Sequence, residues 1–563
     1  MILLRFLLAL IPIIAQSEPV QARWSKNVVD SLGINTHFQY YSYGHAPDSQ
    51  VFEILKARLV ELGIKNIRDR TGNDPNIDIS SFHRYSLKLR ALSDSGIAVS
   101  LIGMSPEQNI SFSDGLAELQ KIELHKIGGT FRSKVFPGGI KIKKILGRNE
   151  YDNIFSGAST CPHDTRTIPS GLSWIERTRF CRGSDWVQQL IEYSRGLYQG
   201  VKSHSNADIR NIPVHGPPLV HVPLYESIGL TESMRPINQY LDNQTANLYD
   251  FIRPAGVRIF HREFPSRLDL FDQKRFDITE FGYYTEKSNP NDNSWQSEER
   301  QAWNTLVSYF DFIEHPKVDS VYIYELLSQE GFPTASNPMQ GSFGLLNPNY
   351  EPKPVFYSLK NLLALFEDSA SSFEPGSVNY RLTSPNFPPS PDGIKHSLYQ
   401  RSDGRYFLVL RYLRTDPTNE PANIFRTINV NFEDLWNIDI IRPYISEFPL
   451  ESYENSNGIQ GLQIPDDIII LALSKNPTLD EPPGSGGPRL TPSCNSKYKV
   501  TFRRSRNKIL IKGAKWVKIK NSNGKVLRNR TLNDESNRYS FKAPRTNRFF
   551  IETNCMLHKF KHQ

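Results

Sequence analysis

The stretch Gly63-Ile-Lys-Asn-Ile-Arg-Asp-Arg70 decides the fold through what lies on either side of it. Before it, residues 52–62 place Phe52, Leu55, Leu59 and Val60 at helical spacing, and Gly63 stands where a left-handed residue closes a helix. The run that follows is short, carries Ile64 and Ile67 and ends in charge, and reads as a second strand. The order then repeats. Residues 85–93 read as a second helix, and Gly96-Ile-Ala-Val-Ser-Leu-Ile-Gly103 as a third strand. Upstream, Ser31-Leu-Gly-Ile-Asn-Thr-His-Phe38 reads as the first. Strand, helix, glycine, strand is the βα unit, and its repetition makes a parallel sheet.

Further strands are expected at 140–146, 212–215, 245–251, 276–279 and 318–324, which makes eight units between residues 31 and 366. Eight units fit an α/β (β/α)8 TIM barrel, with a doubly wound open sheet as the alternative. No Gly-x-Gly-x-x-Gly turn follows the first strand, which counts against a nucleotide-binding sheet. Beyond residue 368 the pattern is β only. Short alternating runs such as Arg405-Tyr-Phe-Leu-Val-Leu-Arg-Tyr412 suggest a β-sandwich over 368–475. A Pro/Gly linker over 476–493 leads to a small basic C-terminal β domain over 494–563.

The first residues, Met-Ile-Leu-Leu-Arg-Phe-Leu-Leu-Ala-Leu-Ile-Pro-Ile-Ile-Ala15, have the layout of a secretory signal peptide, expected over 1–22 and too short to span a bilayer comfortably. The barrel is then expected over 23–367, and the mature chain, without a membrane span, is expected to be secreted. Four cysteines fall into two local pairs, Cys161 with Cys181 and Cys494 with Cys555, which suits two disulfides in an oxidising compartment. No Cys-x-x-Cys occurs, so a zinc site is not expected.

Net charge is +8, unevenly divided. Residues 494–563 hold 11 Lys and 8 Arg against one Asp and two Glu, a net +16 that leaves −8 for the remainder. Such a terminal module would draw a polyanion, an acidic polysaccharide or an anionic cell surface among them; a solvated basic surface is the plainer reading.

Two glutamates lie at strand ends. Glu150 follows the fourth strand in Lys144-Ile-Leu-Gly-Arg-Asn-Glu-Tyr-Asp152, and Glu280 ends the seventh in Phe276-Asp-Ile-Thr-Glu-Phe-Gly-Tyr-Tyr284. Hydrolysing a glycosidic bond with retention needs two carboxyl groups about 5–5.5 Å apart, one attacking the anomeric carbon and one protonating the leaving oxygen. A barrel supplies such a pair from the C-terminal ends of different strands. One glutamate alone would be a weak signal; the two together, on strands four and seven, are a strong one.

This layout resembles the clan A glycoside hydrolases, and in detail their family 39 and family 5 branches, across residues 33–366. The resemblance implies that Glu150 is the acid/base, Asn149 the residue holding the sugar 2-hydroxyl, and Glu280 the nucleophile. It implies that Arg68 hydrogen-bonds the nucleophile and keeps it ionised. Two departures stand out. Relatives often carry Asn-x-His-x-Tyr on strand six, where this chain reads Asn247-Leu-Tyr-Asp-Phe251, with Tyr249 at the histidine position. A Trp is common on strand eight, where this chain has Tyr322, Tyr324 and Glu325. Both leave the carboxylate pair intact and unsettle the sugar contacts.

Smaller expectations concern His37 and His215 as cleft residues, Tyr283 as a hydrogen-bond partner of Glu280, and Asp69 with Arg70 as a loop ion pair. Tyr249 is expected among the substrate contacts. The Cys161–Cys181 loop is expected in the cleft wall. The sequence thus points to a secreted glycoside hydrolase acting on a poly- or oligosaccharide without metal or organic cofactor. The rivals are a barrel that binds carbohydrate without turnover, and an adhesion protein acting through its basic module.

Overall fold

The computed structural model describes residues 19–475 except 41–42, 44–46, 74, 104–109, 154–158, 162–165, 250–263, 287–295, 329–340, 384–393, 413–425 and 466, with the backbone of seven strands between 501 and 561. The signal segment up to residue 18, the linker, Cys494 and Cys555 lie outside the described residues.

Eight parallel strands form the barrel: β1 Leu32–Asn35, β2 Asn66–Arg70, β3 Ala98–Ile102, β4 Ile142–Leu146, β5 Val214–His215, β6 Gln244–Asn247, β7 Phe276–Phe281 and β8 Val318–Ile323. Each except β5 with β6 is laddered to its sequence neighbour, and β8 pairs with β1 through Tyr322 opposite Gly33. Parallel bridges His215–Asn243 and Leu219–Ala246 join β5 to β6 and complete the ring. Gly33 is required at the β8–β1 seam. A Cβ there would come within 2.2 Å of the Tyr322 ring, whose hydroxyl reaches across the barrel to Ser100 Oγ at 2.7 Å.

The helices are α1 Gln50–Leu62, α2 Ile79–Asp94, α3 Phe112–Lys126, α4 Trp174–Arg182, α5 Trp186–Lys202, α6 Phe264–Leu270, α7 Glu298–Glu314 and α8 Pro354–Phe366. Helix α1 starts on Ser49, whose side chain accepts from Phe52 N, and ends on Gly63 at φ 79°. Phe52, Leu55 and Leu59 face the core as expected. Val60 does not: it is 52% exposed, and Leu62 takes the inward place. α2 is longer than the expected 85–93, because Asp78 caps it one and a half turns earlier by accepting from Ser81 N.

The second unit contains β9 Tyr380–Thr383, β10 Ile394–Gln400, β11 Tyr406–Tyr412, β12 Arg426–Ile441, β13 Glu451–Ile464 and β14 Ile468–Ser474. They make one connected sheet, ordered β9-β12-β14-β11-β10, with β13 also on β12. The 16-residue β12 carries register shifts and is shared: its first half pairs with β9, its last residues with β14. The sheet also takes in the N-terminus. Arg23–Trp24 runs parallel beside Tyr399–Gln400, and Val20–Gln21 pairs with Ser377–Val378. Residues 20–24 thus pair with the β unit before the chain enters the barrel.

Alternation gives this sheet two buried faces. Tyr399, Phe407, Val409 and Ile470 join the apolar cluster of α7 and α8, while Leu398, Leu408, Leu410 and Leu471 pack into the unit's own core. One charge lies in the seam. Fully buried Arg411 on β11 donates from Nε to Asp311 Oδ1 at 2.9 Å and from Nη1 to Glu314 Oε1 at 2.6 Å, both on α7. The seven terminal strands are antiparallel and form a three-stranded and a four-stranded sheet.

Removing one partner of a buried ion pair strands the other in low dielectric, so Arg411→Ala should cost about 3–5 kcal/mol in urea denaturation. Lys26→Ala, which breaks an exposed pair with Asp30, should cost under about 1 kcal/mol. Similar small losses in both would show that the Arg411 pair does not hold the seam.

Candidate active site

Five strand ends converge at the C-terminal mouth of the barrel. On β2, Arg68 points inward and is 2% exposed. Its Nη1 donates to Glu280 Oε1 at 2.6 Å and to Asn35 Oδ1 at 2.5 Å, and its Nη2 to Asn149 Oδ1 at 2.7 Å. A planar guanidinium suits this use, since its fork holds several acceptors in fixed directions. Asn35 at the end of β1 donates in turn to Thr279 O at 3.0 Å, tying the first strand to the seventh.

Glu280 does not simply follow its strand; it lies within β7. Three residues earlier, Asp277 already faces the barrel interior, where it meets Lys144 of β4. Strict alternation would turn Glu280 outward, yet it meets Arg68 at the mouth. A register shift against β8 between Ile278 and Phe281, matched by one against β6, supplies the extra residue that re-aims it. Its second oxygen accepts from Tyr249 Oη at 2.8 Å. That phenol is held protonated: burial first, then the Glu280 charge, push its pKa well above the usual value.

Glu150 follows β4 in a left-handed conformation at φ 44°, and its N–H bonds Pro218 O at 2.8 Å. Such a φ is uncommon outside glycine and is held here by its surroundings. Asp152, fully buried, fastens this loop by accepting from Val220 N, His221 N and Tyr225 Oη. Asn247 Nδ2 donates to Glu150 Oε1 at 2.7 Å, its orientation set by Thr279 Oγ1 donating to Asn247 Oδ1 at 2.8 Å. Asn153 Nδ2 adds a longer contact to Oε2 at 3.3 Å. The residue keeps some surface in the cleft, but its carboxyl is deep among protein atoms. Burial first, and the nearby Glu280 charge second, raise its pKa to about 7 in spite of these donors. The site thus has one carboxylate met by a guanidinium and a phenol, and one carboxyl that holds its proton to near neutrality.

Comparison with solved structures places the fold. An alpha-L-arabinofuranosidase from Thermotoga maritima, solved with arabinose, matches with TM-score 0.52 at 9% identity, covering 81% of this chain and 98% of that one. A family 39 glycoside hydrolase from Bacteroides cellulosilyticus WH2 matches at TM-score 0.47 and 12% identity, covering 81% and 83%. A family 39 enzyme from Xanthomonas axonopodis pv. citri matches at TM-score 0.47 and 12% identity, covering 82% and 96%. These structural neighbours are clan A glycoside hydrolases. No protein-family model and no curated protein matches the sequence.

The other expected residues divide. His37 flanks the mouth, stacked on Tyr40 with ring centroids 5.2 Å apart, and its Nε2 lies 3.1 Å from Glu325 Oε2. Tyr249 belongs to the site, as a donor to Glu280. His215 does not line the cleft. It lies inside the barrel, 4% exposed, with Nδ1 2.6 Å from Asp277 Oδ2, where Lys144 Nζ also bonds both Asp277 oxygens at 2.8 Å. Burial would raise the Asp277 pKa, but Lys144 and His215 outweigh it and hold the carboxyl below its usual range. Tyr283 does not reach Glu280: its hydroxyl meets Ser308 Oγ at 2.6 Å beneath α7. Asp69 is no loop ion pair either. It is 1% exposed and accepts from Thr36 Oγ1 at 2.7 Å, Phe38 N at 2.9 Å and Arg70 N at 2.7 Å, fixing the β1 loop. Cys161 and Cys181 are bonded. Asn35, Asn153 and Asp152 were not singled out from the sequence; their roles lie in partners far along the chain, which local pattern does not reveal.

The raised pKa of Glu150 has a consequence for stability. Between its unfolded value of 4.5 and about 7 the folded state binds the extra proton, so stability from this group falls as pH rises through that window. Glu150→Gln removes the penalty of ionising it. The variant should match the parent at pH 4.5 and exceed it at pH 8 by on the order of 2 kcal/mol, read by denaturant melts at both pH values. A gain independent of pH would show that the proton is not the cause.

Proposed function

We propose that this chain is a retaining glycoside hydrolase acting on a poly- or oligosaccharide by double displacement, with Glu280 as nucleophile and Glu150 as acid/base. One observation carries the reading: a single buried guanidinium holds Glu280 and Asn149 together while the neighbouring Glu150 is poised to keep its proton. The fold shared with the Thermotoga maritima arabinofuranosidase supports it.

The roles follow from the contacts. Arg68 and Tyr249 fix both oxygens of Glu280 and restrict its carboxylate to one plane, which is the orientation a nucleophile needs. Attack on the anomeric carbon forms a glycosyl ester and breaks the bond to the leaving oxygen, which takes the Glu150 proton. Ionised Glu150 then removes a proton from water as that water attacks the ester and frees Glu280. Asn149 gives its Oδ1 to Arg68, so its amide N–H groups remain for a substrate hydroxyl. The signal-like N-terminus and the Cys161–Cys181 bond support a secreted protein.

Glu280→Ala should lower turnover by at least about 10⁴-fold, and azide should restore cleavage of an activated aryl glycoside as the glycosyl azide of inverted configuration. Activity unchanged by this substitution would sink the assignment. Glu150→Ala should slow substrates with poor leaving groups by about 10²–10⁴-fold and activated ones far less. In the parent enzyme kcat/KM for poor leaving groups should fall on the alkaline side with a midpoint near pH 7, as Glu150 loses the proton it must donate. An unchanged rate up to pH 9 would rule it out as the acid.

A further inference from the structure

Arg70 closes β2 two residues beyond Arg68, so both side chains belong to the inner side of the strand, about 6.6 Å apart along it. Arg68 directs its Nη donors to Glu280, Asn35 and Asn149. The half-buried guanidinium of Arg70 has a ring for a partner instead: it lies over Tyr40, 5.1 Å from the ring centroid. Among the described residues no carboxylate stands within ion-pair distance of Arg70, and no acceptor takes its side-chain donors.

The position of that ring is built into the fold. Asp69, on the opposite side of β2, accepts from Thr36 Oγ1 and Phe38 N and so fastens the loop after β1 to this strand. In that loop Tyr40 N–H donates to His37 O at 2.8 Å, a turn that brings the two rings together at 5.2 Å and 14°. His37 is set in turn by fully buried Glu325, whose Oε2 is 3.1 Å from its Nε2. Tyr40 thus contacts both His37 and Arg70, and the guanidinium is positioned by a ring rather than by an anion.

A stacked guanidinium keeps its N–H groups in one plane, where the fork can meet a further acceptor. Half-burying a cation without an acceptor carries a free-energy cost that a bound anion offsets. The other charges at the mouth are matched. Glu280 has Arg68, Glu150 holds its proton to near neutrality, and Glu325 faces His37. Among the described residues of the mouth, Arg70 is the unmatched cation. A carboxylate, with two oxygens at the spacing of the fork, is the anion that fits it best.

We propose that Arg70 binds the carboxylate of the sugar held at Glu280, which makes the substrate a uronate-bearing poly- or oligosaccharide. The inference rests on the hydrolase reading of the barrel, since that reading puts a sugar at Glu280. Tyr40 is a positioning residue for Arg70, and His37 for Tyr40.

The test compares sugars that differ only at C6. Free glucuronate and galacturonate are titrated into the full chain beside glucose, galactose and galactose 6-sulfate. Aryl glycosides of the same uronates and hexoses, in both anomers, are assayed for turnover. A uronate should bind at least about tenfold tighter than its hexose, and its aryl glycoside should exceed the hexoside by at least about tenfold in kcat/KM. Arg70→Gln should lower both ratios by about tenfold or more, and Arg70→Lys, which keeps the charge without the fork, should lower them less. Tyr40→Leu should lower them too, while Arg381→Gln, at an exposed site in the β unit, should not. Should Arg70→Gln misfold, the unaltered chain decides: bound uronate should slow modification of Arg70 by phenylglyoxal. Unchanged ratios in Arg70→Gln, no protection, or tighter binding of the 6-sulfate than of either uronate would each overturn the proposal. Turnover of hexosides with no preference for uronides would overturn it as well and leave the hydrolase reading standing. Uronate binding that depends on Arg70, with no glycoside turned over, would support the contact and count against that reading.

Discussion

The guanidinium of Arg68 is the contact on which the site depends. A charge buried to 2% exposure is costly unless it is paired and its donors are used. Here the Nη atoms are taken by Glu280, Asn35 and Asn149, which come from three other strand ends. Any shift of about an ångström in one of those strands would leave a donor unmet in low dielectric. The closed ring of β1 to β8 meets that demand, because every strand is braced on both sides and none can slide alone. Fold and site are therefore linked by hydrogen-bond geometry, beyond their sharing one scaffold.

A second charged centre lies below the first, and β7 supplies both. Asp277 joins Lys144, His215 and Ser320 inside the barrel, while Glu280 meets Arg68 at its mouth. The lower centre is sealed, and the upper one keeps surface open to the cleft. The register shift between them lets one strand face the barrel axis at positions three apart. Without the extra residue, one of the two carboxylates would turn away from the barrel axis toward the helix layer, and its partner on the axis would lose it.

Much of this was legible in the sequence, for a physical reason. The helix–glycine–strand rhythm is local, so residues 52–70 already carry their own fold, and the two glutamates could be placed at the ends of strands four and seven. What was not legible depends on which way a short polar strand faces. His215 lies on a two-residue strand with no alternation to read, and Asp277 claims it from across the barrel. Tyr283 follows the register shift, so counting three residues on from Glu280 gave the wrong side. The N-terminal strands pair with residues between 356 and 376 positions away, a distance over which local pattern carries no signal. Tyr249 was visible as a departure from the family pattern, yet only the structure shows its hydroxyl meeting Glu280.

The two carboxyls also govern each other over the proposed reaction. While Glu280 is charged, its field adds to burial in keeping the Glu150 proton in place, which is what an acid needs. Forming the glycosyl ester removes that charge. The Coulombic part of the shift disappears, leaving burial against the Asn247 and Asn153 donors, and the Glu150 pKa must fall. A group that has just given up its proton then becomes easier to keep ionised, at the step where it has to act as a base. Arg68 has Asn149 and Asn35 as acceptors besides Glu280, so its donors do not depend on that carboxylate alone. In the proposed reaction the acid-to-base change thus follows the loss and return of one charge on β7.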